Sequence, residues 1–354
     1  MSKPLVSVAM AVCNVDHFLA ESVEGVLGQT FRDFEFIIVD FGSTDNSKSI
    51  VSRYAASESR IKFGEIPHCS LAEARNAACS LAQGKYIALM DADDVSVPDR
   101  LGWQVDFMEK HPEVGALGGA VEWIDTGGKA LITRTNPVGN REIQSALLER
   151  SPLWQPSVLM RRDAFVGVGG YRSPFAPAED YDLWLRMAEH FQLGNLRQVV
   201  LKYRIHPYQL SMRKRTQQTL GMLGAQVSAS SRRSGFPDPL TRVKEITPEV
   251  LATLGVTRAR QQSVLVSHHR QWIRHMCMAG EYSVALKAAL EVLQSDLECV
   301  ERWQIADLHL TVAQLYWRQK KFLKSLLAVA HAVLTRPVVA GRPLKPLLRH
   351  LGLS

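Results

Sequence analysis

The sequence predicts an α/β protein: a mostly parallel central sheet built from βαβ units, followed by an all-α region. Three observations carry this reading. Over the first 110 residues, short apolar runs alternate with stretches of helical periodicity. Strands separated by helices of about 10–15 residues are the signature of crossover units and a parallel sheet. The apolar runs end on polar or acidic residues, Asn14, Asp40, and Asp91 with Asp93, and such sheets bind ligands at the carboxyl ends of their strands. Beyond His206 the strand signals stop and the pattern turns almost entirely helical.

Residues 5–12 (LVSVAMAV) are too short for a typical helix and partly β-branched, hence a buried strand. Phe18, Leu19, Val23, Val26 and Leu27 recur at helical spacing within 16–29. Residues 34–40 (FEFIIVD) form the second strand, and 44–55 open with Ser/Thr/Asp capping chemistry and continue as a helix. A third strand fits 61–66 and a helix fits 71–82. A fourth strand, 86–90, runs into Asp91-Ala92-Asp93-Asp94. Pro98 stands where a helix start tolerates proline, and a helix follows over 98–110. Residues 114–123 and 158–160 are expected as strands, 181–191 as a helix and 198–204 as the last strand. Residues 228–241, rich in Ser, Gly and Pro, read as a linker or exposed loop. The chain thus divides into 1–215, a helix and linker over 216–245, and a basic helical part over 246–354. Within that last part Ala279-Gly280-Glu281-Tyr282, with Ala285, Leu286, Ala289 and Leu293, recurs forty residues later. There it is Gln319-Lys320-Lys321-Phe322 with Leu326, Leu327, Val329 and Val333. Stacked tetratricopeptide-like hairpins and a plain helical bundle both fit.

With 46% hydrophobic and 22% charged residues in 354, the chain is neither disordered nor disulfide-stapled. No apolar run approaches the roughly 20 residues that span a bilayer. Residues 5–15 lack the charged start and cleavage site of a secretory leader. Five scattered cysteines without CxxC spacing read as reduced thiols, so a cytoplasmic protein is expected. Residues 1–212 hold 21 Lys/Arg and 26 Asp/Glu, net −5; residues 213–354 hold 21 and 9, net +12. The basic part suits peripheral contact with the inner face of a membrane, or a protein partner; a merely solvated helical surface is the bland alternative. No nucleic-acid motif accompanies it, and nucleic acid is not expected as a partner.

Alternate residues of a strand leave on one side, so Asp91 and Asp93 can face a common ligand if the chain bends there. Mg2+ and Mn2+ take such oxygen ligands and share them with substrate phosphates. An exposed acidic loop is the usual explanation of a lone D-x-D, but this one closes a buried strand. Glu179-Asp180 stands at the start of a helix, either as capping charge or as a general base. Gly167, Gly169 and Gly170 before it suit a tight loop lining a cleft. His206 is either structural or a further metal ligand. Arg75 reaches a phosphate or base, or is simply solvated. The chain has no phosphate loop, no G-x-G-x-x-G, no G-x-S-x-G and no H-E-x-x-H.

In this order the residues resemble the family 2 glycosyltransferases of the GT-A fold, a Rossmann-like architecture. The resemblance runs through the segment from Val6 to Asn14, then Phe34 to Asp40, Gly42-Ser43-Thr44-Asp45, Ala74-Arg75-Asn76 and Gly84 to Asp94. It continues through Pro98-Asp99-Arg100-Leu101, Gly169-Gly170-Tyr171, Glu179 to Arg186 and Tyr203 to His206. It covers about residues 4–210 and leaves the helical tail outside. It implies inverting transfer of a sugar from a nucleoside diphosphate sugar to a hydroxyl of a saccharide or lipid-linked acceptor, in surface polysaccharide or glycoconjugate synthesis. The implied cofactor is Mn2+ or Mg2+. Position by position, Ala11, Val12, Asn14, Asp40, Arg75 and Asp91 would surround the nucleotide, Asp40 pairing with the base and Asp91 near the ribose. Asp93 would bind the metal with His206, Asp180 would be the catalytic base, and Trp154, Gln155 and Glu179 would meet the acceptor. Ala11, Cys13 and Phe41 depart from the family's usual proline, aromatic and second aspartate. They leave the base open among uridine, which is favoured, dTDP and GDP sugars. The alternative is a non-catalytic scaffold recruiting partners through the tail. A nucleotidyltransferase would show a Gly-rich first loop, which residues 11–19 lack.

Overall fold

The computed structural model describes residues 3–209 and 214–341. Strands β1 (Val6–Val12) and β2 (Phe34–Asp40) are buried almost throughout, which is why they read as continuous apolar runs without alternation. Helix α1 (Asp16–Leu27) joins them and buries Leu19, Val23 and Val26 as one stripe. Next come α2 (Ser47–Ser57), β3 (Ile61–Glu65) and α3 (Leu71–Ser80). The start of α3 is fixed by a capping box: Ser70 Oγ accepts the Glu73 N–H, and the Glu73 carboxylate accepts the Ser70 N–H at 2.7 Å. There follow β4 (Tyr86–Asp91), the two-residue β5 (Val95–Ser96), α4 (Arg100–Lys110), β6 (Val114–Ile124), β7 (Ala130–Arg134), α5 (Asn140–Ala146), β8 (Leu159–Arg161), α6 (Arg162–Gly167), α7 (Glu179–Met187) and β9 (Gln192–Arg204).

All nine strands form one sheet, in the order β3-β2-β1-β4-β8-β6-β9-β5, with β7 on β6. The first four are mutually parallel. Strand β8 is antiparallel to both β4 and β6, so β6 again points the way of β4, and β9 is parallel to β6. Six strands therefore share one direction, and the mostly parallel GT-A sheet expected from sequence is what forms. Their carboxyl ends lie along one edge.

The differences are local. Strand β9 begins at Gln192, not 198, because the polar Asn195 in its first half is only 2% exposed and donates to the Pro137 and Pro152 carbonyls at 2.7 and 3.0 Å. Helix α7 ends at Met187, short of 191. The short antiparallel β5 and β7 carry too few residues for a periodicity signal. The loop expected over 228–241 is confined to 234–241, which is non-helical and mostly exposed. Helix α8 (Arg215–Arg233) runs through 228–233, and Asp238 beyond it is gripped by Arg172 (2.8 Å), Arg232 (2.6 Å) and the Ser228 hydroxyl (2.8 Å).

The chain forms two compact units, Met1–Arg204 with Gly221–Ile246, and Ile205–Leu220 with Thr247–Ser354. The second contains α9 (Pro248–Thr253), α10 (Arg258–Met278), α11 (Tyr282–Gln294), α12 (Arg302–Arg318) and α13 (Phe322–Thr335). The repeat seen in sequence is present in the backbone. Gly280 and Lys320, forty residues apart, both take left-handed φ, +82° and +60°. The next N–H in each turn, of Glu281 and of Lys321, donates back to Met276 and Tyr316 at 2.8 and 2.9 Å. Among the described residues no helix is long and apolar enough to cross a membrane, and no disulfide joins the cysteines.

Candidate active site

The register of β2, β1 and β4 sets Asp40 beside Val12 and Asp91 beside Ala11. Asp40 Oδ1 accepts the N–H groups of Gly42 (3.0 Å) and Ser43 (2.9 Å). Its Oδ2 is buried and has no protein partner among the described residues. Gly42 sits at φ +111°, a conformation that side chains rarely adopt. Asn14, at φ 52°, accepts the Thr44 N–H (2.8 Å) and hydroxyl (3.1 Å), and its own N–H donates to Ser43 Oγ (3.1 Å). It thereby fastens the Gly42–Asp45 turn to the end of β1. Val12 is fully buried and its carbonyl accepts the Phe41 N–H at 3.0 Å, so its side chain belongs to the core. Ala11 lines a small cavity with Arg75, Cys79 and Gln155.

Arg75 of α3 holds the centre of the site. It donates to Asp91 Oδ1 at 2.7 Å and to Glu179 Oε1 at 2.6 Å, and its side chain is 13% exposed. Glu179 is fully buried, and its second oxygen has no partner among the described residues. Glu179, expected among the acceptor contacts, is thus buried against Arg75. Burial pushes the Asp91 carboxyl up, Arg75 opposes this, and Asp93 adds to it. The chain bends at 92–94 and leaves Asp93 half-buried, its carbonyl accepting Arg204 Nε at 2.9 Å. Asp94 points inward, 1% exposed. It accepts the Arg204 N–H at 2.8 Å and is raised well above the carboxylate range by burial and by its neighbours Asp93 and Asp91.

The first turn of α7 carries three acids, Glu179, Asp180 and Asp182. Glu179 has Arg75. Asp182, fully buried, has both Arg172 (Nε, 2.9 Å) and Arg186 (2.8 Å). Among the described residues no arginine or lysine pairs with Asp180, which accepts only the Tyr181 N–H at 2.8 Å. Burial, then repulsion from Glu179, push its carboxyl up to about 7, against Arg75 and that N–H. Arg186 also donates to the Gly170 carbonyl at 2.6 Å, and Asn76 clamps Tyr171 both ways at 2.8 Å, tying the glycine loop to α3 and α7.

An aromatic wall adjoins the acids. Trp154 stands edge-on to Trp123 (centroids 5.9 Å) and tilted on Tyr203 (5.4 Å). Burial raises the Tyr203 hydroxyl well above its usual range, and the charges of Asp94, Asp93, Asp91 and Asp180 all reinforce this, which sets the wall beside the acidic cluster. Gln155 is buried at its foot. His206, two residues past β9, belongs to the second unit, buried with its ring 6.3 Å from that of Tyr208. The structure thus gathers Ala11, Asp40, Arg75, Asp91, Asp93, Trp154, Gln155, Glu179 and Asp180 within the first unit. Sequence reasoning gave no role to Asp94, Tyr203, Trp123 or the Arg172–Asp182–Arg186 clamp, although Asp94, Asp182, Arg186 and Tyr203 lie in segments that carry the resemblance.

Among the described residues no three His, Cys, Asp or Glu side chains converge on a point that could hold a metal by themselves. Asp91 and Asp93 supply hard oxygen donors at one turn. Magnesium-like ions commonly bind through one or two carboxylates plus substrate phosphates, so the donor set fits a cation that arrives with a diphosphate.

Comparison with known proteins follows the same lines. The family model "Glycosyl transferase family 2" matches residues 7–167. The putative glycosyltransferase EpsE of Bacillus subtilis is 36% identical over 212 residues, 57% of this chain and 74% of that one. An Escherichia coli protein named UDP-Glc:alpha-D-GlcNAc-diphosphoundecaprenol beta-1,3-glucosyltransferase WfaP is 30% identical over 215 residues, 59% and 81%. The structure of S. aureus TarS 1-349 in complex with UDP-GlcNAc superposes with a TM-score of 0.53 over 93% of this chain and 91% of that one, at 16% identity, a likeness of fold. With the GT-A sheet, the acid-lined strand ends and these relatives in agreement, the chain belongs to glycosyltransferase family 2.

Proposed function

We propose that the chain transfers a sugar from a nucleoside diphosphate sugar, UDP favoured, to a hydroxyl of a saccharide or lipid-linked acceptor, with inversion at the anomeric carbon. The observation that carries this is Asp180: among the described residues the one acid of its helical turn without a cationic partner, its carboxyl pushed up by burial to about 7 beside the Asp91–Arg75–Glu179 array. A carboxyl poised near neutrality is suited to general-base work. In this reading Asp180 takes the proton of the acceptor hydroxyl, whose oxygen then bonds to the anomeric carbon as the bond to the diphosphate breaks on the opposite face. Asp40, with its open oxygen at the β2 end, recognises the base, and Asp91 lies toward the ribose. Asp93, with Asp91, would hold a hard divalent cation, which when bound offsets charge on the departing diphosphate. Trp154 and Tyr203 offer an aromatic face to a sugar ring, with Gln155 at its foot. The donor and lipid-linked acceptor in the name of the E. coli relative, and two further relatives named for O-antigen and amylovoran biosynthesis, support the substrate class. Holding Asp91 and the fully buried Glu179 around one arginine disfavours folding, and a scaffold would gain stability by losing them.

The test is a thermal-shift series with UDP, GDP, dTDP and CMP, each with and without Mn2+, on the wild type and Asp93→Ala. We expect one nucleotide to stabilise the wild type in a Mn2+-dependent way and the variant not at all. No stabilisation by any nucleotide would overturn the proposal.

A further inference from the structure

The outward face of α13 is built against the rule for a soluble surface helix. Such a helix buries an apolar stripe and shows water a polar one. Helix α13 buries Ser325, Ala328 and Ala332. On the opposite side Leu323, Leu326, Leu327 and Leu334, in line with Ala330, form one continuous apolar stripe, and the four leucines are 55–79% exposed. The internal repeat supplies the control. Forty residues earlier, at the positions of Leu323, Leu327 and Leu334, α11 shows water Ser283, Lys287 and Gln294, and the counterpart of Leu326 is Leu286, only 8% exposed. The same hairpin geometry is thus served by a polar outer face in the first copy and by leucines in the second.

The surrounding charge says what that face meets. Lys320, Lys321 and Lys324 stand exposed at the start of α13 and Arg336 just past its end. From residue 308 to residue 354 the sequence holds eight Lys/Arg and no Asp or Glu. A second copy packed face to face would bring these lysines together with no carboxylate from that region to offset them. An apolar stripe rimmed only by cations matches a bilayer carrying anionic headgroups, whose surface attracts the lysines while the leucines enter the acyl boundary. We infer that α13 is a docking surface for an anionic lipid bilayer, which it meets lying flat.

The test is co-sedimentation of the full chain with vesicles of phosphatidylcholine alone, or of phosphatidylcholine mixed with phosphatidylglycerol. The wild type should pellet with the mixed vesicles only. Leu323→Gln with Leu327→Gln should abolish pelleting while leaving the circular dichroism unchanged. Each of Lys320→Gln, Lys321→Gln and Lys324→Gln should weaken the partition about fivefold, at about 1 kcal/mol per basic residue. Wild type that ignores anionic vesicles, or a leucine variant that pellets like wild type, would overturn the inference. So would a dimer in sedimentation velocity that the leucine pair dissolves, since the face would then belong to a second copy. None of these residues lies in the first unit, so nucleotide binding there stands or falls separately.

Discussion

Asp180→Asn should make the protein more stable at alkaline pH while abolishing transfer. In the unfolded chain an aspartate titrates near 3.8, and in the fold Asp180 titrates near 7. Between these values the unfolded state has released its proton and the native state keeps it, so stability falls as pH rises through this window. It stays low above pH 7. Each pH unit of difference corresponds to about 1.4 kcal/mol, which sets a ceiling on the order of 4 kcal/mol. Asp180 keeps partial access to solvent, and screening by that water brings the expected penalty to about 2–3 kcal/mol. Asparagine is nearly isosteric with the protonated acid and uncharged at every pH. The variant should therefore match the wild type near pH 4 and exceed it by about 2–3 kcal/mol at pH 8. Urea unfolding of both proteins from pH 4 to 8 reads this directly, because titrating groups that do not interact with Asp180 cancel in the difference. Transfer by the wild type, assayed in the same buffers, should rise through pH 7 as the base ionises. A stability difference of equal size at pH 5 and pH 8 would mean that the carboxyl titrates as in water, and the assignment of Asp180 as the poised base would lose its physical ground.

Arg75→Met strands Glu179, fully buried, and Asp91 without their shared cation, and should cost about 3–5 kcal/mol in urea unfolding at pH 8, with part recovered at pH 5 as the carboxyls protonate. Arg75→Lys keeps one positive charge but not the two-pronged reach, and should fall between. Gly170→Ala puts a methyl 2.7 Å from Asn76 Oδ1 at φ +68°, which should destabilise by at least about 1–2 kcal/mol and disturb the Asn76–Tyr171 clamp, read as a raised KM for the acceptor. In the second unit, burial and then Arg215 push His268 down to about 4. Through His268 that unit should lose about 1–2 kcal/mol between pH 7 and pH 5, as the unfolded chain takes up a proton that the fold refuses, and His268→Gln should remove that share of the dependence seen by hydrogen exchange while leaving the share of His269, likewise pushed down to about 4.

The parallel half of the fold was legible because its strands are buried on both faces, so burial writes itself as unbroken apolar runs such as residues 34–40. The later strands were only partly legible because their stabilisation is not local. Strand β8 is three residues long and holds its place only by pairing with both β4 and β6. The first half of β9 contains Asn195, whose burial is allowed only by two carbonyls from distant turns. The linker-like composition of 228–241 showed the exposed turn over 234–241 but not its anchor: Asp238, a loop residue by propensity, is held by two arginines that no local pattern reveals.

The same contrast explains which site residues could be read in advance. A parallel strand delivers its last residue to the ligand edge, so Asp40 and Asp91 announce themselves wherever an apolar run ends on an acid. Strands β6 and β9 deliver Trp123 and Tyr203 to that edge too, but only because β8 reverses direction between β4 and β6. An even number of reversals restores the common direction; one fewer would send both aromatics to the far end of the sheet. Their roles depend on topology, and topology is not periodic. Asp180 is an intermediate case. The acidic pair at the start of α7 is visible in sequence, yet capping and catalysis both call for acids there. What separates the two is the distribution of cations. Arg75 reaches Glu179 from α3, Arg172 and Arg186 enclose Asp182, and among the described residues no arginine or lysine pairs with Asp180, whose carboxyl burial pushes up to about 7. Moving one arginine onto Asp180 would turn the same sequence motif back into an ordinary helix cap.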